Sequence, residues 1–441
     1  MVEHPKGSWR DRFHSILKSP EEAVRGVHST QRIFIETNCA EPLSLIGALM
    51  DQRSRLEKVE VVQGFYRDRL CPYAQPGMDD HFRITTFHVG PAVKYALGAG
   101  FCDYIPVHLS EIPRLCQPNG PLPIDVAMIQ LSSPGADGYC SFSIATSFTK
   151  PIVENARVIL AEINDRMPYV FGDTKIHISR LTAAVEVSRP LIELPSAQIN
   201  DDAKTIAEQV AKLIPNGATL QIGIGSVPDA VLSLLRNHHD LGIHSGQIGD
   251  TAAEMIEAGV ISNRFKPFDT GVSVSSMALG TNDGIYRFIH RNPAVAICPV
   301  SYTHDPCRIG KIDNFITLLS AVEIDLTGQV NAEMVRGRQI SGVGGSQNFI
   351  QGASRSSGGK SILALTSTAG KGKFSRIVAA LGSGTAVTTP RSDIHYVITE
   401  FGTADLRGRT LGQRARSLVE IAHPKFRDQL RDTIKEVKTA Y

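Results

Sequence analysis

The stretch that decides the fold spans residues 217–250 and reads GATLQIGIGSVPDAVLSLLRNHHDLGIHSGQIGD. Residues 218–224 predict a buried strand that ends in the glycine-flanked turn Gly223-Ile224-Gly225. Residues 226–229, Ser-Val-Pro-Asp, carry the polar cap candidate and the proline that typically begin a helix. Residues 241–245 predict a second short strand. Strand, glycine turn, helix and strand together predict a βαβ unit.

The turn after the first strand is a candidate binding site. In a βαβ unit, backbone N–H groups point outward at the carboxyl end of the first strand and at the start of the helix. They can hold an anion or stabilise a developing oxyanion there. A Gly-x-Gly turn after a strand is more often tight-turn geometry than a binding site, so the spacing alone does not establish a site.

The same alternation extends along the chain in both directions. Residues 31–37, 57–65 and 157–164 predict further strands separated by helical stretches, and residue Asp202 is the predicted cap of an amphipathic helix. The pattern predicts an α/β protein with mainly parallel sheets. The proline-punctuated segment 186–200 predicts a boundary between an N-terminal domain, residues 1–190, and a C-terminal domain, residues 191–441. Residues 411–438 are predicted to be helical with a break at His423-Pro424.

Composition limits the possible functions. The chain has 441 residues, 42% of them hydrophobic and 20% charged, with a formal net charge of +2. This balance gives no electrostatic basis for binding nucleic acid or a membrane surface. No apolar run approaches the roughly 20 residues of a membrane helix, and the polar N-terminus predicts no secretory signal, which favours a cytoplasmic protein. Seven scattered cysteines without CxxC spacing favour reduced thiols and give no metal site.

Several long segments resemble the acetyl-CoA hydrolase/transferase family, in particular its 4-hydroxybutyrate CoA-transferases. The resemblance begins near Ile33 and covers the rest of the chain. The segments that carry it, besides QIGIGSVPDAVLSLL and LGIHSGQIGD above, are FHVGPAVKYALGAGFCDYIPVHLSEIPRL (residues 87–115), IDVAMIQLSSPGADGYCSFSIATSFTKPIVENARVILAEIND (124–165), GDTKIHISRL (172–181), EIDLTGQVNAE (323–333), ISGVGGSQNFIQGA (340–353) and the C-terminal HYVITEFGTADLRGRTLGQRARSLVEIAHPKFRDQL.

The resemblance implies a fold and a chemistry. Two related α/β domains hold acyl-CoA between them, and a glutamate carboxylate takes the acyl group and then CoA in covalent steps. Coenzyme A is thus the implied ligand, and a homodimer or larger assembly is implied. The backbone of the turn at Gly223, Ile224 and Gly225 would stabilise the thioester oxyanion. The glycine-rich loop would contact CoA, because glycines let the backbone approach closely; its residues are Gly342, Val343, Gly344, Gly345 and Asn348, the last in place of the family's usual aspartate.

The sequence departs from the family at the nucleophile. The family motif has the form His-Ser/Thr-Glu-x-x-x-Asp, and here it reads His244-Ser245-Gly246-Gln247-Ile248-Gly249-Asp250. His244, Ser245 and Asp250 keep the register, so Gly246 stands where the resemblance places the glutamate. Glycine has no side chain that can attack a thioester. Ser245 and Gly246 are therefore predicted to line the substrate site without supplying a nucleophile.

Three hypotheses remain open for the function. In the first, water, an amine or a carboxylate attacks the acyl-CoA directly in the room left by the missing side chain. In the second, another carboxylate has taken over, for which Glu41, Glu254 and Glu400 are candidates. In the third, the chain binds a CoA thioester without catalysis or serves as a regulatory subunit.

The polar residues near Gly246 each have two interpretations. His244 is a candidate base, although a buried histidine with a satisfied hydrogen bond is the simpler interpretation. Gln247 is a candidate hydrogen-bond donor to a carbonyl oxygen, or a polar rim residue. Glu41 resembles a family position that faces the substrate, but most glutamates point into solvent. Asp250 is predicted to cap the next helix rather than to act as an acid.

Overall fold

A computed structural model describes residues 8–66 and 71–434 of the chain. The charged segment of residues 1–30 is predicted to be helical, and its first seven residues lie outside the described residues. The end of the predicted C-terminal helical region, residues 435–438, also lies outside them. The chain forms two compact units. Unit 1 comprises the described residues up to Leu194 together with Ser275–Ser301, and unit 2 comprises Pro195–Val274 and the residues from Tyr302 onward.

Unit 1 is built on a seven-stranded sheet in the order β10-β7-β5-β1-β2-β3-β4, and each neighbouring pair of strands is parallel. The strands of unit 1 are β1 (Arg32–Ile35), β2 (Val59–Gln63), β3 (Phe82–Thr86), β4 (Cys102–Tyr104), β5 (Val126–Ser132), β6 (Tyr139–Ser141), β7 (Val158–Asn164), β8 (Phe171–Gly172), β9 (Lys175–His177), β10 (Ala183–Val187) and β14 (Val295–Ile297).

Helices cover both faces of this sheet. Successive residues of a strand point to opposite faces, and in β1 Ile33 and Ile35 enter one apolar core cluster while Phe34 enters the other. Burial on both faces is typical of parallel sheets. The helices of unit 1 are α1 (Trp9–Ile16), α2 (Pro20–Ala23), α3 (Leu43–Asp51), α4 (Lys94–Ala99), α5 (Ile112–Leu115), α6 (Thr149–Asn155) and α10 (Arg287–Ile289).

Unit 2 contains strands in the order β25-β24-β20-β15-β11-β12, all parallel except the hairpin β24-β25. Unit 2 also contains smaller sheets of two or three short strands. The strands are β11 (Thr219–Gln221), β12 (Gly242–Ile248), β15 (Phe315–Leu319), β16 (Glu323–Asp325), β17 (Val330–Asn331), β18 (Met334–Val335), β19 (Arg338–Gln339), β20 (Lys360–Ala364), β21 (Thr368–Ala369), β22 (Phe374–Ser375), β23 (Ile377–Val378), β24 (Tyr396–Thr399) and β25 (Gly402–Asp405), while the chain passes from unit 2 to unit 1 within β13 (Ser273–Ala278).

The helices of unit 2 follow the predicted βαβ rhythm, with shifted ends. Asn200, not Asp202, caps the helix that follows the proline-rich segment, and its side chain accepts a hydrogen bond from Ala203 N at 2.9 Å. The helices are α7 (Asp201–Ala211), α8 (Ser226–Leu234), α9 (Asp250–Glu257), α12 (Pro306–Ile309), α13 (Ser346–Arg355), α14 (Leu411–Ile421) and α15 (Pro424–Asp432), and α11 (Val300–Thr303) leads from unit 1 into unit 2.

The predicted fold class is confirmed, since both units combine mainly parallel strands with helices. The predicted domain boundary differs from the structure in one respect. Residues after 190 do not form one continuous domain, because Ser275–Ser301 belong to unit 1. In that segment β14 pairs with β8, and Val300 joins an apolar core cluster of unit 1. Nothing in the composition of residues 275–301 marks this return of the chain.

Candidate active site

The predicted glycine turn lies between β11 and α8 in unit 2. Gly225 has φ 126° and ψ 177°, a conformation that only glycine adopts without strain. It is the residue that precedes α8, so Ser226 is the first helical residue and not the cap. Gly223 and Ile224 are half-buried. The turn therefore presents backbone at the start of a nine-residue helix, as the sequence predicts.

The second predicted strand runs farther than expected, to Ile248. Gly246 and Gln247 are therefore strand residues, and both are half-buried. Ser245 is fully buried, and its hydroxyl donates to Ile222 O at 3.1 Å. The Gln247 Nε2 atom lies 3.2 Å from the position that a Cβ on Gly223 would occupy. The structure thus brings Gly223, Ser245, Gly246 and Gln247 together.

His244 is held in the interior of unit 2 through one ring nitrogen. It is fully buried, and its Nε2 donates to the carbonyl oxygen of Thr303 at 3.0 Å. Burial lowers its pKa to about 3, with a smaller effect from the nearby Lys266 ammonium. Its Nδ1 has no hydrogen-bond partner among the described residues. The buried ring holds the chain at Thr303 in place, and the catalytic role of His244 stays a prediction.

The residue that sequence reasoning missed is His304. A Cβ placed on Gly246 would lie 3.2 Å from His304 Nε2 and 3.4 Å from its Cε1. The imidazole is 1% exposed, and burial lowers its pKa to about 3. His304 follows α11 in a separate part of the chain, and no spacing in the sequence connects it with the motif at Gly246. Only the fold brings the two residues into contact.

The glycine-rich loop reaches the same place. A Cβ on Gly345 would lie 2.4 Å from His304 Cδ2, closer than real atoms approach. Gly344 has φ 61°, and Gly345 is the residue that precedes α13. Phe349, in the first turns of α13, packs its ring against the His304 ring with centroids 4.5 Å apart. Asn348 is also buried at the start of this helix, after Gly342 and Val343 of the same loop.

The other predicted acidic candidates have partners elsewhere. Glu41 belongs to unit 1, is 7% exposed and accepts a hydrogen bond from Gln63 Nε2 at 3.3 Å. Glu254 forms an ion pair with Arg236 at 2.6 Å on the surface. Glu400 accepts a hydrogen bond from the backbone of Ser367 at 2.8 Å. Glu254 and Glu400 therefore have partners at Arg236 and Ser367, and their role as replacement nucleophiles stays a prediction.

The prediction that Asp250 caps the next helix is wrong by one residue. Asp250 is the first residue of α9, and Gly249 holds the cap position. Its place in the first turn still complements the helix dipole.

Residues 8–66 and 71–434 contain no cluster of three or more His, Cys, Asp or Glu side chains with the geometry of a metal site. Across the same residues, no helix has the length and apolarity needed to cross a bilayer. Six of the seven cysteines are buried, and Cys307 is exposed.

Comparison with known families places the chain. Residues 2–227 match the acetyl-CoA hydrolase/transferase N-terminal domain, and residues 280–434 match the C-terminal domain of the same family. Among curated proteins, the chain is 42% identical over 428 residues to the 4-hydroxybutyrate coenzyme A transferase of Clostridium kluyveri, covering 97% of this chain and 99% of that protein. It is 33% identical to the succinyl-CoA:cyclohexane-1-carboxylate CoA transferase of Geobacter metallireducens, covering 99% of both.

Solved structures agree with the sequence comparison. RipA from Yersinia pestis superposes with a TM-score of 0.92 at 33% identity, covering 98% of this chain and all of that chain. A 4-hydroxybutyrate CoA-transferase from Porphyromonas gingivalis superposes with a TM-score of 0.84 at 36% identity, covering 97% of this chain and all of that chain. Both proteins share the fold, and the family models match most of the chain. The chain is a member of the acetyl-CoA hydrolase/transferase family.

Proposed function

We propose that this protein acts on an acyl-CoA thioester and transfers the acyl group directly to an external nucleophile, without a glutamyl intermediate. The observation that carries the proposal is the glycine at position 246 in a site that is otherwise built. The glycine turn, the glycine-rich loop and the strand β12 meet there as the resemblance implies, yet Gly246 offers no side chain to attack a thioester.

The names of the relatives support the ligand class. The relatives above are CoA transferases, and a more distant one, 24% identical over 402 residues, is an acetyl-CoA hydrolase from Yarrowia lipolytica. The names of these relatives thus include both CoA transfer between carboxylic acids and hydrolysis of a CoA thioester. We therefore propose that the substrate of this protein is also a CoA thioester, in which coenzyme A carries the acyl group.

The chemistry of direct attack is a single acyl transfer. The nucleophile, which is water, an amine or a carboxylate, adds to the thioester carbonyl, and the oxyanion forms beside the backbone of the glycine turn. The tetrahedral species collapses with loss of the CoA thiolate. When the nucleophile is water or an amine, one proton must leave it and one proton must reach the thiolate. A cytoplasmic location and a homodimer or larger assembly complete the proposal.

The test is a panel of short, branched and aromatic acyl-CoAs mixed with the purified protein. Release of free thiol is followed with a disulfide reagent, with and without acetate or a primary amine, and the acylated products are identified by mass spectrometry. Direct transfer predicts thiol release at a rate proportional to the external nucleophile. It also predicts that no acyl or CoA adduct forms on the intact protein.

Two outcomes contradict the proposal. A protein adduct of CoA on a glutamate, found by peptide mass spectrometry, would mean that another carboxylate has taken over. Tight binding of acyl-CoA without thiol release from any member of the panel would mean that the chain is a thioester-binding homologue or a regulatory subunit. Heat-inactivated protein and protein-free thioester supply the background rates.

A further inference from the structure

The imidazole of His304 lies between two glycines of the candidate site. Its Nε2 is 3.2 Å from the place of a Cβ on Gly246 and 2.5 Å from the place of a Cβ on Gly345. Both glycines are half-buried, whereas the ring itself is 1% exposed. The ring is thus covered by backbone that is itself partly exposed to solvent. It lies next to the position that the Cβ of a side chain at residue 246 would occupy.

Backbone conformation does not explain Gly246. Its φ lies outside the left-handed region, so an L-residue fits the strand without strain. The constraint is space, since a Cβ would meet His304 and also Phe349 Cε2, at 3.4 Å. A side chain at 246 therefore requires the imidazole to shift by a few tenths of an ångström or has to turn away from it. Gly246 and His304 are therefore matched to each other.

The ring is held in one orientation from behind. His304 Nδ1 lies 2.8 Å from Thr303 Oγ1, and the carbonyl of Thr303 accepts the hydrogen bond from His244. When Nδ1–H donates to the threonine hydroxyl, Nε2 carries the lone pair. That atom is the one directed toward Gly246. An imidazole fixed through one nitrogen, with the other directed at the reacting group, is the usual arrangement of a histidine base.

We propose that His304 is the catalytic base of the direct transfer proposed above, on which this assignment rests. Water or an amine attacks the thioester carbonyl carbon while Nε2 accepts the proton that the nucleophile loses. The C–S bond then breaks, and the imidazolium returns that proton to the sulfur, so that CoA leaves as the thiol. The base ends in its starting state, and no other reactant is needed.

The first test compares His304→Gln and His304→Ala with the wild type on the best acyl-CoA from the panel. Loss of a general base is expected to lower kcat by about 10²–10⁴-fold, with KM for acyl-CoA within a few-fold of the wild-type value. His395→Gln is the matched control, because His395 is a buried histidine of the same unit whose pKa burial also lowers, to about 4. It is expected to keep wild-type kcat. Retention of wild-type kcat by His304→Gln would overturn the proposal.

Chemical rescue separates a base from a ring that merely fills space. Imidazole and 4-methylimidazole added to His304→Ala are expected to restore thiol release in the order of their basicity. Pyrazole has the same shape and is far less basic, so it is expected to restore almost none. Equal rescue by all three compounds would show a filling role and would contradict the assignment.

A single and a double variant test the contact between residues 246 and 304 through a new activity, CoA transfer between two carboxylates. Gly246→Glu alone is expected to remain without CoA transfer between two carboxylates, because the imidazole occupies the path of the new side chain. Gly246→Glu/His304→Ala is expected to gain that transfer, with a glutamyl adduct on the protein. Equal transfer by both variants would show that His304 does not occupy the nucleophile's place. Absence of thiol release from the wild type, by contrast, would overturn the proposed function and the base together.

Discussion

At the scale of single residues, the most informative group outside the site is Glu36, at the end of β1. Its side chain is fully buried, and its carboxylate accepts a hydrogen bond from Gln130 N at 2.6 Å. Burial raises its pKa well above the ordinary value of 4.5, and the neighbouring Glu162 raises it further. The group is therefore protonated in the folded protein at a pH where it ionises in the unfolded chain.

The raised pKa of Glu36 makes the free energy of unfolding depend on pH. An acid whose pKa is raised by folding favours the unfolded state once pH rises above the ordinary value, so stability declines from near pH 4.5 upward. Glu36→Gln cannot ionise and is expected to have a higher free energy of unfolding than the wild type at pH 8, by a margin that shrinks as pH falls toward 4.5. Urea unfolding from pH 4 to pH 8 measures this difference. A gap that is absent at pH 8, or that grows as pH falls, would contradict the burial argument.

A second prediction at this scale uses the contact between Gly345 and His304. An added methyl group at residue 345 would overlap the imidazole, at 2.4 Å from Cδ2. Overpacking of this kind costs about 1–3 kcal/mol, so Gly345→Ala is expected to lower the free energy of unfolding by that amount. In Gly345→Ala/His304→Ala the methyl group meets no ring. A double-mutant cycle by urea unfolding is expected to show a favourable coupling between the two substitutions. Simple additivity would mean that the loop moves away instead.

At the scale of elements, local signals predicted strands and helices well and their ends less well. Proline and glycine in the sequence correctly predicted where α8 starts. The residue at the cap position is Gly225 and not Ser226, and its φ of 126° is one that glycine adopts without strain. The strand β12 continues past Ser245 through Gly246 and Gln247 to Ile248. A glycine and a glutamine are weak strand formers. Tertiary contacts therefore decided what local preference did not.

The helix α14 shows where local chemistry does decide. The Thr410 hydroxyl accepts from Gln413 N at 3.3 Å, and the Gln413 side chain accepts from Thr410 N at 2.9 Å, which forms a capping box. Thr410→Ala removes one side of it and is expected to lower the free energy of unfolding by about 1 kcal/mol. Thr410→Ser keeps the hydroxyl and should match the wild type within error. Guanidinium titrations of the three proteins measure this, and equal losses in both variants would point to the lost methyl group rather than the cap.

At the scale of the whole molecule, sequence accounts for the fold class and for the segments that form the candidate site. The glycine turn, the strand with Gly246 and the glycine-rich loop were each predictable, because glycine and strand patterns are local. His304 was not, since its role depends on a contact between elements that are distant in sequence. The burial of His244, which lowers its pKa, was not predictable either, because burial is a property of the folded unit.

The same distinction applies to the domain boundary. Residues up to 194 look self-contained in sequence, but unit 1 also needs Ser275–Ser301. Leu194 N donates to Gly280 O at 2.8 Å, and Asn282 Nδ2 donates to Leu191 O at 3.0 Å. The strand β14 pairs with β8. A fragment that ends at residue 194 loses these hydrogen bonds together with a buried part of the core.

We therefore expect residues 1–194 alone to unfold without a cooperative transition and to bind a hydrophobic dye. Joining residue 194 to residues 275–301 through ten glycine and serine residues, which span about 16–19 Å on average, is expected to restore a cooperative thermal transition followed by circular dichroism. The control is the joined chain with Val300→Asp, because Val300 is fully buried and a charge there cannot be solvated. It should behave like the short fragment. If residues 1–194 melt as cooperatively as the joined chain, the segment 275–301 is an attachment rather than part of the unit, and the predicted boundary near residue 190 describes an independent domain after all.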